Sequence, residues 1–153
     1  MNMEIQAALD VVDETDSFLQ ITDVIYDKEA DVGYEALNQA EKTVFCIDGL
    51  LREMENGGFS QLMYHDSGGR VSDILAALES IKSREVIVHL KHFIALFGEH
   101  LIPADDDERI ALFEAVESEQ TDAITELDDC YYDTVENLVG LTLAYVARNQ
   151  KRF

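Results

Sequence analysis

Apolar residues in this chain return every three or four positions and almost nowhere every second one. That spacing gathers hydrophobic surface on the faces of helices and leaves no alternating segment from which to build a half-buried sheet. Phe18, Ile21 and Ile25 define an amphipathic helix over 16–31. Asn38, with Glu41 three residues on, has the form of a capping box, so the next helix should span 39–55 and bury Val44, Phe45, Ile47, Leu50 and Leu51. Gly57 is placed to end it in the left-handed conformation.

The remaining punctuation is equally helical. Residues 59–65 allow one short helix before Ser67-Gly68-Gly69 turns the chain. Helices over 71–82 and 84–98 follow, with Ser83 as the cap between them and Gly98 as the stop. After Pro103, Asp105 and Glu108 open a helix that buries Ile110, Phe113 and Val116. Thr121 is read as the cap of a helix through Tyr131, and Asp133 with Glu136 as the cap of a last one over 134–149. With 153 residues, no long linker, no internal repeat and no low-complexity tract, the chain is expected to be all-α, a single compact multi-helix domain.

Charge supplies the functional information. The chain has 32 acidic residues against 11 Lys and Arg, a formal net charge of −21, yet its 47% hydrophobic content excludes a disordered acidic tail. Such a field repels nucleic acid and anionic lipid and speeds encounter with basic proteins. Neither direct nucleic-acid binding nor membrane association is expected. No signal peptide is visible after Met1, and no apolar run is long enough to cross a bilayer. Cys46 and Cys130 lie within apolar helical patterns, lack metal-ligand spacing, and read as buried thiols of a cytoplasmic protein.

The acids are unevenly placed. Residues 1–55 carry 14 acids and 3 bases, and 105–136 carry 13 acids with Arg109 as the sole base, whereas 56–104 are nearly balanced and 137–153 contain no acid. Asp16, Asp23 and Asp27 share one edge of the first amphipathic helix, opposite Phe18, Ile21 and Ile25. Asp122, Glu126, Asp129 and Asp133 do the same opposite Ile124, Leu127 and Tyr131, with Glu114 and Glu117 as candidates to extend that row. Ordinary solvated faces mix signs, because opposite charges three or four apart support a helix and like charges oppose it. Two uninterrupted rows are instead comparable to the phosphate rows of a duplex, which present one charge per roughly 3.4 Å of axis on each strand.

Several segments resemble a known family. Leu37-Asn38-Gln39-Ala40-Glu41, then Leu51-Arg52-Glu53-Met54-Glu55-Asn56-Gly57-Gly58-Phe59-Ser60-Gln61 and Tyr64-His65-Asp66-Ser67-Gly68, are similar to the opening of the bacterial DNA-mimic-protein-nineteen-like family. The likeness continues through Ala76-Ala77-Leu78-Glu79-Ser80-Ile81, Phe93 to Gly98, and Leu127-Asp128-Asp129-Cys130-Tyr131-Tyr132, so it spans about 37–146. Its most specific element is Asn-Gly-Gly-aromatic-x-Gln. The resemblance implies an all-helical fold and, for the family's namesake, mimicry of DNA that occupies a DNA-binding transcription factor. In the motif itself, Gly57 and Gly58 are read as a tight reversal, Phe59 as core, and Asn56 and Gln61 as partners for backbone groups freed by the turn.

Taken together, the expected function is that of an acidic DNA mimic. Asp16, Asp23, Asp27, Glu114, Glu117, Asp122, Glu126, Asp129 and Asp133 would face the basic DNA-binding surface of a transcription factor or nucleoid protein, with no catalytic residue and no cofactor. An immunity or antitoxin-like inhibitor of a basic nuclease would use the same surface chemistry. A halophile's acidic surface would spread over the whole chain, which the neutral middle segment opposes. A metal-dependent enzyme is the remote alternative: Glu85, His89 and His92 share a helix face, but no complete ligand set is visible. His65 and His100 sit at helix ends, and Asp105-Asp106-Asp107-Glu108 lacks the alternation and central glycine of a calcium loop. A homodimer stays open, to be indicated by an apolar patch on the outside of a helix.

Overall fold

The computed structural model describes residues 2–153. Seven helices follow one another: α1 (Met3–Leu9), α2 (Glu14–Val32), α3 (Gln39–Tyr64), α4 (Val71–Ser80), α5 (Val86–Ala95), α6 (Asp106–Asp133) and α7 (Leu138–Arg148). Single 3-10 turns lie at Tyr34–Ala36, Asp66–Arg70 and Gln150–Arg152, and no strand occurs among the described residues.

α3 organises the domain because its apolar positions run almost its full length. Val44, Ile47, Leu50, Met54, Phe59, Leu62 and Met63 are all buried. Each such side chain contributes about 1.5–3 kcal/mol relative to exposure. Around α3 pack α2, α4, α6, α7 and the Asp66–Arg70 turn, while α5 bridges α4 and α6. Phe59 stacks on Phe93 of α5 with ring centroids 4.5 Å apart, which joins the second half of α3 to the rest of the core. Phe45, Leu51 and Ile110 pack at the margin and are only half-buried.

Local signals place most helix starts. The Asn38 side chain accepts from the Glu41 N–H and the Glu41 carboxylate accepts from the Asn38 N–H, a complete capping box. Asp13 and Asp105 cap α2 and α6 through the N–H groups of Asp16 and Glu108. Gly98 turns left-handed at φ 64° after α5. The short α1, capped by Asn2, has no counterpart in the sequence reading, because its only buried residues are Ile5 and Ala8 and they carry too little periodicity.

Other boundaries differ from those expected, and in each case a distant partner is responsible. Gly57 does not end a helix in the left-handed region: it is extended at φ 173°, and Gly58 supplies the positive φ of 76° at a kink after which α3 resumes. The N–H freed there at Phe59 donates to Asp128 Oδ1 of α6 at 2.9 Å, and neither Asn56 nor Gln61 is its partner. Gln61 instead meets the His65 ring. A Cβ on Gly58 would stand 2.5 Å from Asp128 Oδ1, and the left-handed backbone adds strain of its own. Gly58→Ala should therefore lower stability by about 1–3 kcal/mol, measured as a fall in urea midpoint. An unchanged midpoint would mean that the kink relaxes freely.

α6 is one helix and not two. Thr121 does not cap: its hydroxyl donates to the Glu117 carbonyl, and the helix kinks at Gln120 (φ −131°), whose side-chain amide reaches the Leu96 carbonyl. Nor do Asp133 and Glu136 open α7, which starts later under the Asn137 side chain. Glu136 serves α5 instead. Its carboxylate accepts the N–H groups of Arg84, Glu85 and Val86 and the Ser83 hydroxyl, while Ser83 Oγ accepts from the Ile87 N–H. Burial alone would raise the Glu136 pKa, but these four donors outweigh it and hold the carboxyl below its ordinary 4.5. A depressed folded pKa means that the stabilisation is complete above the unfolded value and is lost as pH falls through the lower folded one. Glu136→Gln is expected to cost about 1 kcal/mol at neutral pH and to shallow the acid limb of the stability profile. An acid limb parallel to that of the wild type would argue against the cap.

Candidate functional site

The carboxylates fall into two groups, those bound to the fold and those left free. Glu41 pairs with Lys28, Glu35 with Lys42, Asp48 with Arg52, Glu53 with His65, and Asp106 with Arg109. Asp73 accepts the Tyr34 hydroxyl at 2.6 Å, Asp128 the Phe59 N–H, and Glu14 the Asn137 amide. These acids have partners within the domain, unlike those that follow.

Asp16, Asp23 and Asp27 on α2 are exposed. So are Asp122, Glu126, Asp129 and Asp133 on α6. No side chain among these seven enters an ion pair or a hydrogen bond among the described residues. Behind them the opposing faces are core: Phe18, Ile21 and Ile25 on α2, Ile124 and Leu127 on α6, with Tyr131 half-buried. At 1.5 Å rise per residue each row is about 16 Å long, the length of roughly five phosphates along one strand. Other free acids exist, among them Asp31 and Glu119, but the seven are aligned by helical phase.

Cations are absent from these faces for a structural reason. Arg109, the sole base of 105–136, is fully buried. Its guanidinium donates to the carbonyls of Met63, His65 and Ala104 and to Asp106, so it closes the C-terminal end of α3 and contributes nothing to the α6 surface. Lys28, the sole base of α2, is turned to Glu41 of α3.

Glu114 and Glu117 differ from the others. Glu114 Oε1 accepts the Tyr64 hydroxyl at 3.4 Å, and the half-buried Glu117 accepts the Ser60 hydroxyl at 3.0 Å. Both precede the Gln120 kink, which interrupts the helical phase before Asp122. Both thus point at the second half of α3 and do not continue the row as one line.

Exposed apolar side chains flank the rows, a feature the charge pattern alone does not reveal. Leu19 is 49% exposed between Asp16 and Asp23, and Tyr132 is 54% exposed between Asp129 and Asp133, its hydroxyl held by the Met54 carbonyl at 2.5 Å. Tyrosine beside charge is frequent in binding hot spots, so Tyr132 has the stronger claim of the two as an anchor. A large residue in the polar half of an amphipathic helix was the available signal.

Cys46 is buried and Cys130 exposed, both as free thiols, so the expectation of two buried thiols holds only for Cys46. Burial pushes the Cys46 thiol up to about 11. Glu85 accepts the Thr134 hydroxyl, and among the described residues no three of His, Cys, Asp and Glu stand close enough to hold a metal ion. No helix among them is long and apolar enough to cross a membrane.

Comparison with curated proteins and with solved structures finds no match. The family described as DMP19-like protein matches residues 35–149, from the turn before α3 to the end of α7. The chain belongs to the DMP19-like protein family.

Proposed function

We propose that this protein is an acidic DNA mimic that acts by binding and not by catalysis, with its carboxylate rows occupying the basic DNA-binding surface of a transcription factor or nucleoid protein. The observation that carries this reading is the set of seven exposed, uncommitted carboxylates in helical register on α2 and α6. Carboxylates carried on packed helices, with no partner inside the domain, offer charge to Lys and Arg without first breaking an internal ion pair. Membership of the DMP19-like family supports the same reading. No cofactor takes part, and nucleic acid is repelled by the net charge of −21.

The test is a competition. A basic DNA-binding protein captured from a lysate at modest salt should release labelled duplex DNA as this protein is added, with no ternary complex. A stable ternary complex with duplex retained in the DNA site would overturn mimicry.

A further inference from the structure

The structure holds a cavity of about 520 Å³ whose lining runs against the chain's acidity: Arg52, Arg70 and His65 meet Glu29 and Asp66 between the rings of Tyr26, Phe45 and Tyr64. We infer that this cavity between α2, α3 and the Asp66–Arg70 turn binds a small zwitterion of the α-amino-acid class, with Arg70 as the carboxylate receptor.

Arg70 is the residue that singles the cavity out. Its guanidinium carbon lies 4.2 Å from the Tyr34 ring centroid and 5.4 Å from that of Phe45, so the planar group is stacked and held in place. It is half-buried, yet among the described residues it makes neither an ion pair nor a hydrogen bond. The other unpaired cations, Lys82, Arg84, Lys91, Arg148, Lys151 and Arg152, are all exposed and solvated. Asp73, which lines a neighbouring depression with Arg70, has its Oδ2 taken by the Tyr34 hydroxyl. The second guanidinium of the cavity, Arg52, is already engaged by Asp48 and the Tyr26 hydroxyl, which leaves Arg70 as the one with free donors. A stacked, shielded guanidinium with free N–H groups is suited to a bidentate carboxylate. Ser67, whose hydroxyl has no acceptor among the described residues, lines the same space.

The turn that presents Arg70 is fixed. A Cβ on Gly68 would lie 2.3 Å from the Leu62 carbonyl oxygen, and one on Gly69 2.8 Å from that of Ala104. Neither Glu29 nor Asp66 is in an ion pair among the described residues, so the same cavity offers acceptors for an ammonium group. A simple anion would leave those two carboxylates opposed to it. A cation would face Arg70. A molecule with both charges satisfies both sides. This site is independent of the carboxylate rows.

Isothermal titration with three probes tests the assignment: L-phenylalanine, 2-phenylethylamine, which lacks the carboxylate, and 3-phenylpropanoate, which lacks the ammonium. The expected result is saturable binding of L-phenylalanine at one site per chain, at least about tenfold weaker binding of either truncated probe, and loss of about tenfold or more in Arg70→Gln. Arg70→Lys keeps the charge without the planar fork and should lie between, which tests the assignment even if Arg70→Gln fails to fold. Chemical-shift changes confined to Arg70 and its cavity neighbours on addition of L-phenylalanine would place the site. No saturable binding by the wild type, equal binding by the Arg70 variants, or binding of either truncated probe as tight as that of L-phenylalanine would overturn it.

Discussion

Arg109→Met is expected to lower the stability of the domain by roughly 3–5 kcal/mol, the largest loss from any single substitution considered. The side chain is 0% exposed and ties three stretches together: the end of α3 through the Met63 and His65 carbonyls, the loop before α6 through that of Ala104, and α6 itself through Asp106. Methionine fills part of the volume but leaves the Met63, His65 and Ala104 carbonyls without these donors. Against a total of about 5–15 kcal/mol, that loss brings the chain close to unfolding at ambient temperature. Urea denaturation followed by far-UV circular dichroism measures it.

The controls separate charge from geometry. Asp106 is 57% exposed, so Asp106→Asn removes the ion pair and keeps the carbonyl contacts, and its urea midpoint should stay close to that of the wild type. Arg109→Lys retains charge, but an ammonium cannot reach the same spread of acceptors and should recover only part of the stability. Gly68→Ala should approach the effect of Arg109→Met, because its Cβ would lie 2.9 Å from Arg109 Nε as well as against the Leu62 carbonyl. An Arg109→Met midpoint within about 1 kcal/mol of the wild type would mean that the carbonyls find other donors.

The same residue shows where sequence reading stops. The box at Asn38 and Glu41, the cap at Asp105 and the left-handed Gly98 are settled within four residues, and each is where the sequence places it. So are the exposed rows, since helical phase alone decides which side of α2 or α6 faces solvent. What misleads are residues whose partner is more than 40 positions away. Glu136 has the spacing of a local cap but serves the start of α5, and Asp128 sits amid surface acids but satisfies Phe59. Arg109 reads as the one positive charge on an acidic face and is instead the largest of the fully buried side chains. Pairing of this kind is fixed by tertiary packing, and no periodicity encodes it.

Changing Asp122, Glu126 and Asp129 to Asn, Gln and Asn is expected to weaken binding to the basic partner on the order of tenfold to a hundredfold at low salt. Three charges go while side-chain shape is kept, and none of the three carries an internal contact. The fold should survive with a slight gain, since the like charges at 122 and 126 oppose the helix by a few tenths of a kcal/mol. The dependence of affinity on salt should also flatten, because fewer counter-charges are screened. The matched control is Asp10→Asn, Glu79→Gln and Glu99→Gln, which are exposed and belong to neither row. Asp73 would be a poor choice there, since its carboxylate holds Tyr34. The α2 row needs its own variant, Asp16→Asn, Asp23→Asn and Asp27→Asn, because it lies before residue 35, where the family match begins, whereas the α6 row lies inside the match. Equivalent losses from both row variants and little from the control would mean that the two lines act together, as two strands would. A loss confined to α6 would reduce the contact to a single row shared with the family. Equal losses from all three would leave net charge as the whole effect and remove geometry from the explanation.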